Sequence, residues 1–131
     1  MSYGISITVE RPFDQAVSAV RDVLANQGFG ILTEIDLAAT LQKKLGVEMP
    51  PQVILGACNP PLAHQALQAE ESIGLLLPCN VTVRAIGRDQ VVVEALDPRA
   101  MIDITGNARL APVADEATGR LRAALSELES A

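Results

Sequence analysis

Aromatic side chains are almost absent from this 131-residue sequence, which has one tyrosine, two phenylalanines and no tryptophan. Hydrophobic residues still make up 49% of the chain, so the core must be built from Leu, Val, Ile and Ala. Such a core suits aliphatic strands covered by helices. The composition therefore favours an α/β protein, and it leaves few rings for stacking nucleic-acid bases.

Positive charge is also scarce. Ten Lys and Arg residues stand against sixteen Asp and Glu residues, which gives a net charge of −6. The basic residues are scattered along the chain, whereas binding to phosphates requires clustered Lys and Arg. We therefore expect neither nucleic acids nor anionic membrane surfaces as partners.

Long apolar runs and a secretory leader are missing too. No segment approaches the roughly 18–20 apolar residues of a membrane span. The first ten residues, MSYGISITVE, lack the basic and apolar regions of a signal peptide. We expect a cytoplasmic protein whose two cysteines are thiols rather than a structural disulfide.

The common catalytic motifs are absent as well. The sequence has no phosphate-binding Walker loop, no GxGxxG, no CxxC, no HExxH and no GxSxG. It contains one histidine, His64, which any conventional catalytic triad would have to use. These absences argue against the usual kinds of hydrolase.

The first third of the chain alternates between strand and helix signals. Alternating apolar residues over 3–9 predict a half-buried strand. Pro12 suits the first turn of a helix that Gly28 ends. The segment GILTEID predicts a second strand, in which Glu34 shares a face with Leu32. A short helix follows it.

The middle and end of the chain continue the alternation. The segment QVILGAC is nearly continuous in apolar residues and predicts a strand buried on both faces. A helix over about 60–69 follows. The segment GLLLPCNVTVRAI predicts a strand interrupted at Pro78, which forms a hairpin with VVVEAL. A short helix from Asp97 to Met101 and a longer one after Pro112 complete the chain.

The predicted order is therefore β-α-β-α-β-α-β-β-α. It indicates an α/β fold of the two-layer α+β kind, with one mixed sheet and helices packed on it. The length suits a single domain spanning residues 1–131. The aliphatic excess predicts a homodimer that covers an exposed apolar face.

The stretch LGACNPPLAH holds the best candidate site. Asn59 is a good N-cap and Pro60 a good first helical residue, so Cys58 is expected just outside a helix N-terminus. The partial positive charge there favours a thiolate, which is a nucleophile or a metal ligand. The alternative is that Cys58 is a small buried hydrophobe at the end of a core strand.

Five further residues complete the candidate set. Cys79 and Asn80 repeat the cysteine–asparagine pattern, and two neighbouring strands would bring Cys79 close to Cys58. His64 is a third ligand or an ordinary surface residue. Glu34 is a base or ligand if it is buried, and otherwise an exposed carboxylate. Met101 is simplest as packing, although a thioether beside two thiolates suits Cu(I).

Five blocks of the sequence resemble one known family. They are GFGILTEID, LQKKLGV, ILGACNPPLAHQAL, IGLLLPCNVTVR and VVVEALDPRAM. In order and spacing they are similar to the domain-of-unknown-function 302 family, over nearly the whole chain. The resemblance implies a compact α/β domain, a dimer, and family positions at Cys58, Asn59, Cys79 and Asn80. It implies no activity, cofactor or substrate.

Three functions remain open from the sequence. The first is a module that binds a small ligand or a soft transition metal through Cys58 and Cys79, with His64 or Glu34 as a third partner. The second is a thiol redox protein with Cys58 as the nucleophile and Cys79 as the resolving thiol. The third is a structural or regulatory interaction protein without chemistry. We favour the first, because no group that would orient a catalytic residue is evident.

Overall fold

The computed structural model describes residues 3–131. No helix in this range is long and apolar enough to cross a membrane. Two 3₁₀ helices, Glu71–Leu76 and Ala108–Leu110, supplement the main elements. In chain order these are β1 (Gly4–Val9), α1 (Phe13–Asn26), β2 (Gly30–Asp36), α2 (Leu37–Leu45), β3 (Gln52–Cys58), α3 (Pro60–Ala69), β4 (Cys79–Gly87), β5 (Gln90–Leu96), α4 (Ala100–Thr105) and α5 (Ala111–Ser130).

The five strands form one sheet in the order β1-β5-β4-β3-β2. All four neighbouring pairs are antiparallel. The prediction of a mixed sheet is therefore wrong, while the α/β architecture and the β4–β5 hairpin are confirmed. Helices between successive strands are compatible with parallel as well as antiparallel neighbours. In this sheet, β1 and β2 lie at opposite edges, so the connection through α1 does not join adjacent strands.

Helices α1 and α5 pack on one face of the sheet. The core between the layers is aliphatic, as the composition predicted, and includes Leu24, Leu55, Val83 and Leu121. On β3, Val53, Leu55 and Ala57 are buried, whereas Ile54 between them is only half-buried. Strand β3 is therefore not buried throughout, as a strand covered on both faces would be.

A β-bulge in β2 changes which side chains share a face. Ile31 pairs with Ala57 and Thr33 with Gly56, so Leu32 has no partner in β3. The extra residue reverses the alternation, as bulges do. Glu34, opposite Leu55, consequently shares a face with Ile31 and not with Leu32.

The apolar run before β4 is helical rather than extended. Residues Glu71–Leu76 form a 3₁₀ helix, and a cis peptide bond joins Leu77 to Pro78 before the strand begins at Cys79. Ile73 and Leu76 pack into a second, smaller apolar cluster with Met101 and Leu110. This packing replaces the strand start that the sequence pattern predicted.

Gly56 provides a test of the packing at the end of β3. A Cβ atom at this position would collide with Thr33 Oγ1 and lie 2.8 Å from Cγ of Pro78. We expect Gly56→Ala to lower the free energy of unfolding by about 1–3 kcal/mol, the usual cost of overpacking. Chemical denaturation measures the change.

Gly30 is the matched control, since a Cβ atom there meets nothing within 4 Å. Gly30→Ala should leave the unfolding midpoint nearly unchanged. Thr33→Ala should recover part of the loss when combined with Gly56→Ala, because it removes the hydroxyl group that collides. Equal stability of Gly56→Ala and Gly30→Ala would contradict this account.

Candidate functional site

The start of α3 is capped as the sequence predicted. The side-chain oxygen of Asn59 accepts a hydrogen bond from the Leu62 N–H at 3.4 Å, and its backbone carbonyl accepts one from Ala63. Pro60 and Pro61 have no N–H to donate. Residues 60–63 at the start of α3 therefore present no unbonded N–H group to Cys58.

The end of α1 is tied to the same place. Gly28 has φ +84°, and the bonds from Gly28 N–H to Ala25 and from Phe29 N–H to Leu24 form a Schellman motif. The turn exposes the Gln27 carbonyl. That oxygen accepts bonds from Asn59 Nδ2 at 3.4 Å and from Arg120 Nη1 at 3.1 Å. The Gln27 carbonyl thus connects the end of α1 to the start of α3 and to the middle of α5.

The two cysteines lie at the same end of two neighbouring strands. Cys79 pairs with Ala57, and Cys58 is the next residue of β3. Cys79 is buried and Cys58 is partly exposed. Both line one cavity, which has about 30 Å³ of free space.

The wall of this cavity is apolar. Its one strongly polar side chain, Asn59, is already hydrogen-bonded to Leu62 and Gln27. A third sulfur-containing side chain, Met101, also lines the space. The remaining wall comes from the turn before β2, from α3 and α5, and from the segment before β4, including Phe29, Leu62, Ala66, Leu77, Val113 and Ala117. We refer to this space as the sulfur cavity.

Asp97 fixes the turn that carries Met101 into the cavity wall. Its carboxylate accepts bonds from Arg99 N–H, from Nε and Nη2 of the same arginine, and from Thr118 Oγ1. Thr118 follows Ala117, which itself lines the cavity. These charge-assisted bonds lower the pKa of Asp97 to about 2. Asp97 therefore links the turn before α4 to α5.

Burial controls the state of the inner cysteine. Burial, together with the smaller effect of the nearby Cys58 charge, raises the pKa of the Cys79 thiol to about 11. Without a bound cation, Cys79 is therefore a neutral thiol at neutral pH.

Three predicted candidates lie away from the sulfur cavity. Asn80 is exposed on the other face of the sheet, beside Thr82 and Glu94. His64 is exposed on α3 and does not line the cavity. Glu34 is exposed and pairs with Arg21 of α1. Within residues 3–131, no three His, Cys, Asp or Glu side chains form a metal-binding group.

The sequence did not point to Arg120. Its Nε binds Glu116 at 3.1 Å while its Nη1 binds Gln27. The spacing of four residues between Glu116 and Arg120 is visible in the sequence, but it indicates only a surface pair on a helix. The contact with Gln27 spans 93 positions and has no sequence signal.

Comparison with known families agrees with the resemblance noted above. The family described as "Domain of unknown function DUF302" matches residues 5–128. The chain belongs to the DUF302 family. The match covers all five strands and both helices of the main core, except for the first residue of β1 and the end of α5.

A solved structure has the same fold as this DUF302 chain. It is described as the crystal structure of an uncharacterized conserved DUF302 protein from Bacillus stearothermophilus. The two share 24% sequence identity and a TM-score of 0.87, over 96% of this chain and 98% of the other. No curated protein matches the sequence. The comparisons therefore establish the fold and the family and leave the function unassigned.

Substitutions of Asn59 test the junction in this DUF302 fold. Asn59→Ala removes the cap of α3 and the bond to Gln27, so we expect a loss of about 1–2 kcal/mol in the free energy of unfolding. Asn59→Asp keeps the capping acceptor but cannot donate to Gln27, so its loss should be smaller. Asn80→Ala is the control on the exposed face. A loss for Asn59→Ala no larger than that of the control would refute the junction.

Asp97 predicts an acid-dependent stability. Because its folded-state pKa is about 2 and its ordinary value 3.8, its contribution is present above about pH 4 and is lost as the pH falls towards 2. We expect Asp97 to contribute about 1–2 kcal/mol to the free energy of unfolding. One pKa unit corresponds to roughly 1.4 kcal/mol, and the ion pair is weakened because the Arg99 side chain is half in solvent. Denaturation midpoints from pH 2 to pH 7 measure it.

Asp97→Asn should remove this part of the acid dependence and lower stability at neutral pH. Asp103→Asn changes an exposed carboxylate on the helix that follows, α4, and should keep the wild-type pH profile. If Asp97→Asn and the wild type lose stability in parallel between pH 4 and pH 2, Asp97 is not the group responsible.

Proposed function

We propose that this protein binds a soft metal ion, with Cu(I) as the best fit, through the sulfur atoms of Cys58 and Cys79 and the thioether of Met101. The observation that carries the proposal is that these three sulfur-containing residues line one small apolar cavity. Thiolate and thioether ligands select soft ions such as Cu(I).

The size of the sulfur cavity favours a metal ion over an organic ligand. A space of about 30 Å³ is comparable to the volume of one water molecule. Pockets for drug-sized ligands are roughly ten times larger. An organic molecule would have to displace the wall, whereas a single ion fits without it. Of the two ligand types expected from the sequence, the metal is therefore favoured.

The ligand set favours Cu(I) over zinc. Structural zinc sites use four Cys, His or carboxylate ligands in a tetrahedron. His64 and Glu34, the third ligands considered from the sequence, lie outside the cavity wall, which leaves two thiols and a thioether. Cu(I) accepts two or three soft ligands, and a metal that binds sulfur strongly also displaces the proton of a buried thiol.

The alternative of a thiol redox protein has less support. Its nucleophile, Cys58, was expected to be activated by the N-terminus of α3, but the Leu62 and Ala63 N–H groups are already bonded to Asn59. An interaction protein without chemistry would not need three sulfur-containing side chains around one cavity. The homodimer remains part of the proposal, supported by the exposed Leu32 and Ile35 on the edge strand β2.

Anaerobic titration with Cu(I), supplied as its acetonitrile complex, tests the function. We expect one equivalent to bind per chain, in competition with a chromogenic Cu(I) chelator. Cys58→Ser should weaken binding by more than about 100-fold, which exceeds the usual effect of changing an outer-shell group. Cys79→Ser should do the same.

Met101→Leu isolates the thioether, because Leu and Met exchange in cores at low cost. We expect about tenfold weaker binding with an unchanged fold. His64→Gln is the control and should bind as the wild type does. No uptake by the wild type, or full uptake by Cys58→Ser, would refute the proposal.

A further inference from the structure

A polar groove lies beside the sulfur cavity. It has a volume of about 500 Å³ and is lined by residues of α3, α5 and the turn after α1. Asn59 and Leu62 line both the groove and the sulfur cavity. Cys58, which is partly exposed and lines the sulfur cavity, immediately precedes Asn59, one of the two residues that the spaces share.

The floor of the groove is held in place. Gly28 has no side chain, and a Cβ atom there would lie 3.1 Å from Asn59 Nδ2 and 3.7 Å from Arg120 Nη1. Both nitrogen atoms donate to the Gln27 carbonyl. The groove is therefore built around a glycine turn that brings an amide and a guanidinium group to one point.

The groove carries one fixed charge of each sign. Arg120 Nε donates to Glu116 Oε1, and Arg120 Nη1 donates to Gln27. Among the bonds between described residues, these leave Nη2 of Arg120 and Oε2 of Glu116 for a ligand. The remaining guanidinium nitrogen can donate a charge-assisted hydrogen bond to a carboxylate, and the remaining carboxylate oxygen can accept one from an ammonium group. Gln65 adds an amide to the same groove.

We infer that this groove binds a low-molecular-weight thiol with a zwitterionic amino-acid group, and that this thiol delivers the soft metal to Cys58. The inference rests on the metal site proposed above. Arg120 would bind the carboxylate of the carrier and Glu116 its ammonium group. A volume of 500 Å³ exceeds what free cysteine fills and suits a small peptide thiol such as glutathione.

The transfer step is a ligand exchange that needs no oxidant. The bond between Cu(I) and the carrier sulfur breaks, and a bond between Cu(I) and Cys58 Sγ forms. The proton of the Cys58 thiol moves to the carrier, which leaves as a free thiol. Copper remains Cu(I) throughout. The ion then gains the inner ligands Cys79, whose thiol releases its proton to solvent, and Met101, whose thioether carries no proton.

S-methylglutathione separates recognition by the groove from metal chemistry, because it keeps the zwitterion and has no free thiol. Titration into the ¹⁵N-labelled protein should give saturable shifts at residues 28, 59, 65 and 116–120. Arg120→Gln, which keeps a donor for Gln27, should weaken binding about tenfold. Arg122→Gln, an exposed arginine on the same helix, should bind as the wild type does.

Transfer kinetics test the delivery role. Uptake from Cu(I)–glutathione should saturate with donor concentration and slow about tenfold in Arg120→Gln. Uptake from Cu(I)–cysteine should saturate only at higher concentration, and uptake from Cu(I)–mercaptoethanol should not depend on Arg120. The proposed role of the groove would be overturned if Arg120→Gln and Arg122→Gln bound S-methylglutathione equally and took up copper from Cu(I)–glutathione at the same rate. Normal uptake from the acetonitrile complex in that case would leave the metal site standing. No uptake from any donor would instead overturn the metal site.

Discussion

The architecture around the candidate site depends on one backbone carbonyl. The Gln27 oxygen accepts hydrogen bonds from Asn59 and from Arg120, at 3.4 Å and 3.1 Å. It is available because Gly28 adopts a positive φ that turns the chain sharply out of α1. The bonds fix the start of α3 against α5. They thereby hold together the wall that the sulfur cavity and the polar groove share.

Antiparallel pairing explains why two cysteines 21 positions apart lie at the same end of the sheet. Strand β3 ends at Cys58 and β4 begins at Cys79, so an antiparallel register places both at one end of the sheet. Close packing of Pro78 and Thr33 over Gly56 keeps this end in register. Met101 joins them from α4, whose first turn is held by the Asp97 carboxylate. The three sulfur-containing side chains thus come from three elements, each with its own local anchor.

Local signals in the sequence were sufficient for much of this site. Single residues with strong positional preferences predict the cap at Asn59 and the start of α3 at Pro60. The end of β3 at Cys58 follows from them. The antiparallel order did not follow, because helices between strands are compatible with both directions. The bulge at Leu32 and the 3₁₀ helix at Glu71–Leu76 are set by tertiary packing. Met101 was first interpreted as packing, since one thioether in a short helix carries no signal of its own.

The ligand environment of bound copper is the most direct test of the central claim. X-ray absorption at the copper edge of the Cu(I)-loaded protein reports the identity and number of the nearest atoms. The proposed site predicts a shell of three sulfur atoms that falls to two in Met101→Leu. Nitrogen or oxygen ligands in that shell, or a shell unaffected by loss of the Met101 thioether, would contradict it.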